Sequence, residues 1–201
     1  MAGIGLSKPY FAKYTEAAGV TSYSNGGLMG KAVSVDITIN TAADNDVYAD
    51  NAIAESERAF SDGTITLGTD DLSQAVSKAL MGLKEQALDA INGITDKDVS
   101  ELIYDDDMET PYLGVGMIFK KRVRGVTMWR AVVLTKVMFN VPADAATTQG
   151  KTITWQTPEI TGTIMRDDSE KHTWKREATF TTETQAAAYI KHVLNITEAA
   201  A

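Results

Sequence analysis

Few side chains in this sequence are of a type and spacing that could do chemistry. His172 and His192 are the only histidines, one beside Lys171 in an expected turn and one on a helical stretch, and neither has a second histidine at ligand spacing. Zinc needs converging ligands and a triad needs an imidazole beside its nucleophile, so both read as structural histidines. The absence of cysteine removes disulfides, thiol nucleophiles and thiolate metal sites together, and fits a reducing compartment. No serine lies in a Gly-x-Ser-x-Gly elbow, and no Gly-Lys-Ser/Thr follows Gly26, Gly27 and Gly30, so those glycines read as a turn. Asp44, Asp46 and Asp50 have part of the spacing of a calcium loop but lack the glycine at its sixth position. Asp105, Asp106 and Asp107 read as a solvated loop. The expectation is a protein without catalytic, cofactor or metal site, and not an enzyme.

Charge narrows the partners. With 19 basic and 27 acidic residues the net charge is -8, which repels phosphate backbones instead of releasing their counterions. Lys120, Lys121, Arg122 and Arg124 form the one basic cluster along the chain, at the tip of an expected hairpin. It lacks the interleaved aromatics of a nucleic-acid site, so it reads as a solvated tip or as a contact for an acidic surface of another copy. No apolar run approaches the roughly 20 residues that span a bilayer, and Met1 to Pro9 lacks a signal pattern. A soluble chain that is not exported by that route is expected, with no membrane partner.

The elements that must position these residues are mostly strands. Val33, Val35, Ile37 and Ile39 alternate with Ser34, Asp36 and Thr38, the pattern of a half-buried strand. Tyr10–Thr15 and Val20–Ser24 predict shorter strands closed by the turn Asn25-Gly26-Gly27, and Gly63–Gly68 predicts another. Tyr112–Val123 and Val126–Val141 are long runs joined by Arg124-Gly125 as a two-residue turn, apolar on both faces in places. They are either central strands or carry a face that a neighbouring subunit covers. The apolar phase changes from Ile153 and Trp155 to Ile160 and Ile164 across Pro158, which predicts a bulge or an edge, and Trp174–Phe180 predicts the last strand.

Two helices are expected. One carries Leu72, Val76, Ala79, Leu80 and Leu83 behind Asp71 as its cap, and the other opens on Thr182 with Gln185 at capping-box spacing. Leu83–Ile94 reads as a possible extension of the first, against the breaks at Gly82 and Asn92-Gly93. One domain covering 1–201 is expected, with a frayed tail at 197–201.

Several phrases, in order, resemble the major tail protein family of long-tailed bacteriophages with non-contractile tails. They are Gly30-Lys31-Ala32-Val33-Ser34, Val47-Tyr48-Ala49-Asp50 through Ala54-Glu55-Ser56, and Gly63-Thr64-Ile65-Thr66-Leu67-Gly68. Pro111-Tyr112 with Gly114 and Gly116 follows, then Gln156-Thr157-Pro158-Glu159-Ile160, Gly162-Thr163-Ile164-Met165 and Ala178-Thr179-Phe180. Leu83–Asp98 departs from the pattern, being more helical than the loop or hairpin the family has there.

The resemblance implies a mainly β (α+β) fold, a β-sandwich or barrel with flanking α-helices. It also implies hexameric rings that stack into a virion tail tube, assembled in the bacterial host cytoplasm. Its partners would be further copies of itself, a tape-measure protein, a tail terminator and distal tail proteins, while viral DNA passes through the lumen without specific binding. Such a lumen should be electronegative, because a basic wall would trap a phosphate polymer. Ser34, Asp36 and Thr38 are the candidates for its wet face.

Residues 41–62 are too long and polar for an ordinary connection and predict an arm. Val47, Tyr48, Ile53, Ala59 and Phe60 would be buried against another copy. Asp50 and Glu55 would then lie at the rim or face a neighbour's basic tip. The close alternative is the inner tube of a type VI secretion system or a tailocin. An alternative of another class is an adhesin or carbohydrate-binding module, with Trp129, Trp155 and Trp174 as a sugar platform, although alternation places Trp155 and Trp174 on apolar faces.

Overall fold

The computed structural model describes residues 2–42, 45–49, 52–57, 59–88, 99–143 and 157–197, with the backbone alone for 2, 45–49 and 52–57. In chain order the elements are β1 (Ala2–Ala17), β2 (Val20–Leu28), β3 (Ala32–Thr41), β4 (Asn45–Ala49), β5 (Ala52–Glu57), β6 (Phe60–Thr69) and α1 (Gln74–Met81). There follow β7 (Lys84–Ala87), β8 (Ser100–Ile103), β9 (Leu113–Val123), β10 (Val126–Phe139), β11 (Glu159–Met165), β12 (Lys175–Phe180) and α2 (Glu183–Val193). The protein is mainly β: an eight-stranded antiparallel sheet with flanking helices, consistent with a β-sandwich. Its order is β2-β1-β9-β10-β11-β6-β3, with β12 also on β10, while β4–β5 and β7–β8 form two-stranded sheets.

Strand β10 is where the sheet divides. One edge pairs with β9, and the other pairs with β12 over Trp129–Leu134 and with β11 over Lys136–Phe139. A register shift against β9 between Leu134 and Val137 marks the change, as expected where a bulge bends a strand between two packed layers. Arg124 and Gly125 both have positive φ, 49° and 85°, the geometry of a two-residue turn that matches strand twist.

The two apolar faces of β9 and β10 go to different partners. Leu113, Val115 and Met117 with Val132 and Leu134 enter the interior, against Ile65, Leu67, Ile160, Ile164 and the α1 residues Leu80 and Met81. Ile118, Ala131 and Val133 face outward and are covered by Ala186, Ala187 and Ile190 of α2 and by Leu194. The chain therefore covers both faces itself. Gly114 and Gly116 lie under α2, where a Cβ on Gly114 would come within 2.5 Å of Leu194 and one on Gly116 would overlap Ile190. Glycine there lets the helix approach the sheet.

Several local expectations change. The short strands at Tyr10–Thr15 and Val20–Ser24 are parts of longer ones. Asn25-Gly26-Gly27 does not turn the chain but lies inside β2. The register passes from Phe11↔Gly27 to Lys13↔Ser24, so Ala12 faces both Asn25 and Gly26 in a bulge with Asn25 at φ 49°. A side chain at Gly26 would strike the Phe11 carbonyl at 2.8 Å. Val33 was expected inside but is exposed, because the ladder slips between Ala32 and Ser34.

Ser73, not Asp71, caps α1, its hydroxyl accepting from the Val76 N–H, and Gly82 ends the helix in the left-handed region. Over Lys84–Ala87 the possible helical extension is replaced by β7, paired with β8 from Lys84↔Ile103 to Ala87↔Ser100, and residues 89–98 lie outside the described residues. Thr182 does cap α2, accepting from the Gln185 N–H. Trp155 and the sequence around it, together with residues 198–201, lie outside the described residues.

Candidate functional site

One face of the sheet has a distinctive chemistry. Across β3, β6 and β11 the outward residues line up in cross-strand rows: Ser34 with Gly68 and Glu159, Asp36 with Thr66 and Thr161, Thr38 with Thr64 and Thr163. Asn40 stands opposite Asp62 and donates from Nδ2 to its carboxylate at 3.0 Å. The opposite, inward residues Val35, Ile37, Ile65, Leu67, Ile160 and Ile164 are the core side of the same strands. These rows are hydroxyls, carboxylates and an amide, with no lysine or arginine among them. Threonine favours strands and gives a wet surface without positive charge. Ser34, Asp36 and Thr38 are exposed as expected, and the fold joins them to Thr64, Thr66, Glu159, Thr161 and Thr163, which alternation alone did not connect.

The edges of the sheet form the second feature. β2 and β3 end the strand order. β2, Val-Thr-Ser-Tyr-Ser-Asn-Gly-Gly-Leu, carries no charge and no proline, and β3 carries one charge, Asp36. Edges of soluble proteins are usually blunted by lysine, proline or short length. Here the exposed large apolar residues Val20, Leu28 and Val33 lie on these two strands, with Val20 67% exposed. Asn195 caps one β2 carbonyl, donating to Tyr23 O at 3.1 Å.

The expected arm is a β-ribbon. The β3–β6 ladder continues past Thr41↔Phe60 through the Ala42 N–H to Ala59 carbonyl bond into the β4–β5 pairs, from Asn45↔Glu57 to Ala49↔Ala52. Among the described residues this ribbon pairs with no third strand, and a lone two-stranded ribbon is marginal in water. Asp50 and the side chains of Val47, Tyr48, Ile53 and Glu55 lie outside the described residues. Phe60 is half-buried and stacks on Trp174, with ring centroids 4.5 Å apart and planes 6° apart. Phe60 therefore has a partner within its own subunit while remaining partly exposed. Of the partial calcium spacing, Asp46 lies in an extended strand opposite Ser56, and Asp44 and Asp50 lie outside the described residues.

The basic cluster is not a hairpin tip as a whole. Arg124 is in the turn, but Lys120, Lys121 and Arg122 lie within β9, between β1 and β10. Lys120 Nζ stands 5.2 Å from the Trp129 ring centre, Lys121 donates to Thr179 Oγ1 at 3.2 Å and Arg122 to Gly125 O at 3.2 Å. Nor is it the only basic group. Arg166, Lys171, His172 and Lys175, all within ten positions of the chain but interleaved with acids, line a cleft with Trp174 and the distant Phe60. Trp129 and Trp174 are thus half-buried and already engaged, which disfavours an open sugar platform. The Asp105–Asp107 loop is held by Lys84, at 2.8 Å from Asp105 and 3.5 Å from Asp107.

The remaining polar cluster is a clasp. Tyr14 Oη donates to Asp168 at 2.7 Å, and Lys136 Nζ reaches the same carboxylate oxygen at 2.6 Å. The Asp168 carboxyl is held below its usual range, first by the Lys136 bond and then by Tyr14. Burial, with the Asp168 bond next, pushes the Tyr14 phenol up, and burial raises Tyr23 to about 12. These phenols stay protonated and donate hydrogen bonds, Tyr23 to Thr135 O at 2.9 Å. The cluster ties the loop after β11 to β1 and β10. His172 closes that loop at φ 48°, and His192 lies on α2. No protein-family model matches the chain, and a search of curated proteins gives no significant match.

Proposed function

We propose that the protein is the major tail tube subunit of a long-tailed bacteriophage, a non-enzymatic structural protein whose copies form stacked rings around a DNA conduit. The observation that carries this reading is the three-stranded face of β3, β6 and β11, whose outward rows hold Asp36, Asp62, Glu159 and hydroxyls but no cation. A wall over which a phosphate polymer must slide is served by that chemistry, since lysines and arginines would release counterions and hold the DNA. Two further features support it. The uncharged β2 edge and the β3 edge leave ladder groups that a neighbouring copy would pair, and the β4–β5 ribbon is stabilised if it lies on another subunit. The ordered phrases resembling the tail protein family agree with this assignment, and hexameric symmetry, a tape-measure protein and a terminator come with it as part of the proposal.

Negative-stain microscopy of the concentrated purified protein tests it: rings or tubes are expected. A monomer at every concentration, with virion tails lacking this chain, would overturn it. Tubes built by a type VI or tailocin protein are distinguished by the particle from which the native chain is recovered.

A further inference from the structure

The cleft beside the base of the ribbon has the make-up of a binding site that the conduit does not require. It measures about 410 Å³ and is lined by Phe60, Arg166, Lys171, His172, Thr173, Trp174 and Lys175, with no acidic residue among them. Its floor is the stacked Phe60–Trp174 pair. Arg166 flanks Phe60 at 5.8 Å from the ring centre and Lys175 flanks Trp174 at 6.0 Å, so two cations are held by aromatic rings. Of the nearby acids, Asp167 is buried and accepts from Ser169, Asp168 is paired with Lys136, and Glu177 is paired with Lys175 at 2.9 Å, while Glu170 is exposed beside Lys171. On a chain of net charge -8, this is a carboxylate-free lining in which Arg166 and Lys171 face solvent.

We infer that this cleft receives the acidic turn Tyr104–Asp107 of a second copy of the chain. The inference rests on the self-assembly proposed above and adds a specific contact to it. Tyr104 is exposed, and Asp106 is exposed beside Asp105 and Asp107, which share Lys84. The Met108 N–H to Asp105 carbonyl bond closes the turn, so it is offered with little ordering cost. An exposed phenol with carboxylates complements an aromatic floor with a cationic rim. Nucleic acid fits less well: a phosphate backbone is tracked by a row of cations, and with Lys175 paired to Glu177 the lining offers Arg166 and Lys171.

The test is a charge-swap cycle. Lys171→Glu and Asp106→Lys change exposed residues and should leave thermal unfolding unaltered. Each alone should weaken the association of the full-length chain by roughly fivefold at low salt, and the double variant should recover most of it. A labelled peptide of residues 103–109 should bind the wild-type chain, lose affinity with added salt, and bind Lys171→Glu less well. Equal binding by wild type and Lys171→Glu, no peptide binding at all, or a swap without recovery would overturn the contact. So would Lys171-dependent binding of labelled single-stranded DNA with none of the peptide. Tube formation by the wild-type chain is scored separately by microscopy, so absent tubes count against the tube reading and an absent peptide complex counts against this contact.

Discussion

The β9–β10 hairpin and the β3–β6–β11 layer belong to one sheet but solve different problems. β9 and β10 are covered on one face by the interior and on the other by α2, so their stability is settled within the subunit. The β3–β6–β11 layer buries one face and leaves the other a hydroxyl and carboxylate surface. Among the described residues its β3 edge pairs with no further strand, and the β4–β5 ribbon pairs with no third strand. Apolar residues on both faces of a strand mean that something covers both, and here the cover comes from the same chain. The polar face, bounded by the β3 edge with its single charge at Asp36, is instead the surface for which the proposed tube supplies neighbours.

The sharpest way to break this comparison is to remove the ribbon. Replacing residues 43–58 by a short Gly/Ser linker keeps the Thr41↔Phe60 and Asn40↔Asp62 pairs. The shortened chain should fold, with a melting temperature within a few degrees of the parent, and should form no tubes of normal length. Tubes of normal length and stability would show that the ribbon is not an assembly element, and failure to fold would place it in the core.

The converse change is Leu134→Ala, in the region closed by its own chain. Leu134 is fully buried, and its truncation should cost about 3 kcal/mol in denaturant unfolding. A loss below about 1 kcal/mol would mean that this region is loosely packed and the contrast weaker than described.

A smaller effect tests the β12 edge. Hydrogen bonds from Arg130 and then Lys175 lower the Glu177 carboxyl from 4.5 to about 2. A depressed carboxyl pKa stabilises the fold above the unfolded value and loses that contribution as pH falls through the folded value. Glu177→Gln should therefore flatten the loss of stability between about pH 5 and pH 2. Because the side chain is 48% exposed, the difference at neutral pH should stay below about 1 kcal/mol. Parallel pH curves for the two proteins would remove the ion pair from the account. Smallest of all on stability is Thr38→Lys, on the exposed face. It should shift unfolding by under about 0.5 kcal/mol while giving assembled tubes a salt-sensitive affinity for duplex DNA, read by co-sedimentation.

The strands of strongest alternation were legible in the sequence, and so was the Arg124-Gly125 turn, because a period of two and a positive-φ pair are local signals. What stayed hidden depended on distant partners. The sequence left open what covers the second apolar face of β9 and β10, since α2 lies far along the chain. Asn25-Gly26-Gly27 looked like a turn because glycine usually marks one, whereas Gly26 is small to clear Phe11 and Ile196. Ser34, Asp36 and Thr38 were readable as a wet face, but their rows with Thr64, Thr66, Thr161 and Thr163 needed the register. The cations of the cleft lie within ten positions, masked by Asp167, Asp168 and Glu170 between them, and the sequence did not show that Phe60, 106 positions from Arg166, completes the site.

The β3–β6–β11 face, proposed above to line an enclosed passage, can be probed directly because the chain has no cysteine. Thr38→Cys places a single thiol on that face. In assembled tubes it should react with a small maleimide but be protected from a bulky polymer-linked one, while the dissociated chain reacts with both. Equal reaction with the bulky reagent before and after assembly would put the face on the outside and contradict the account.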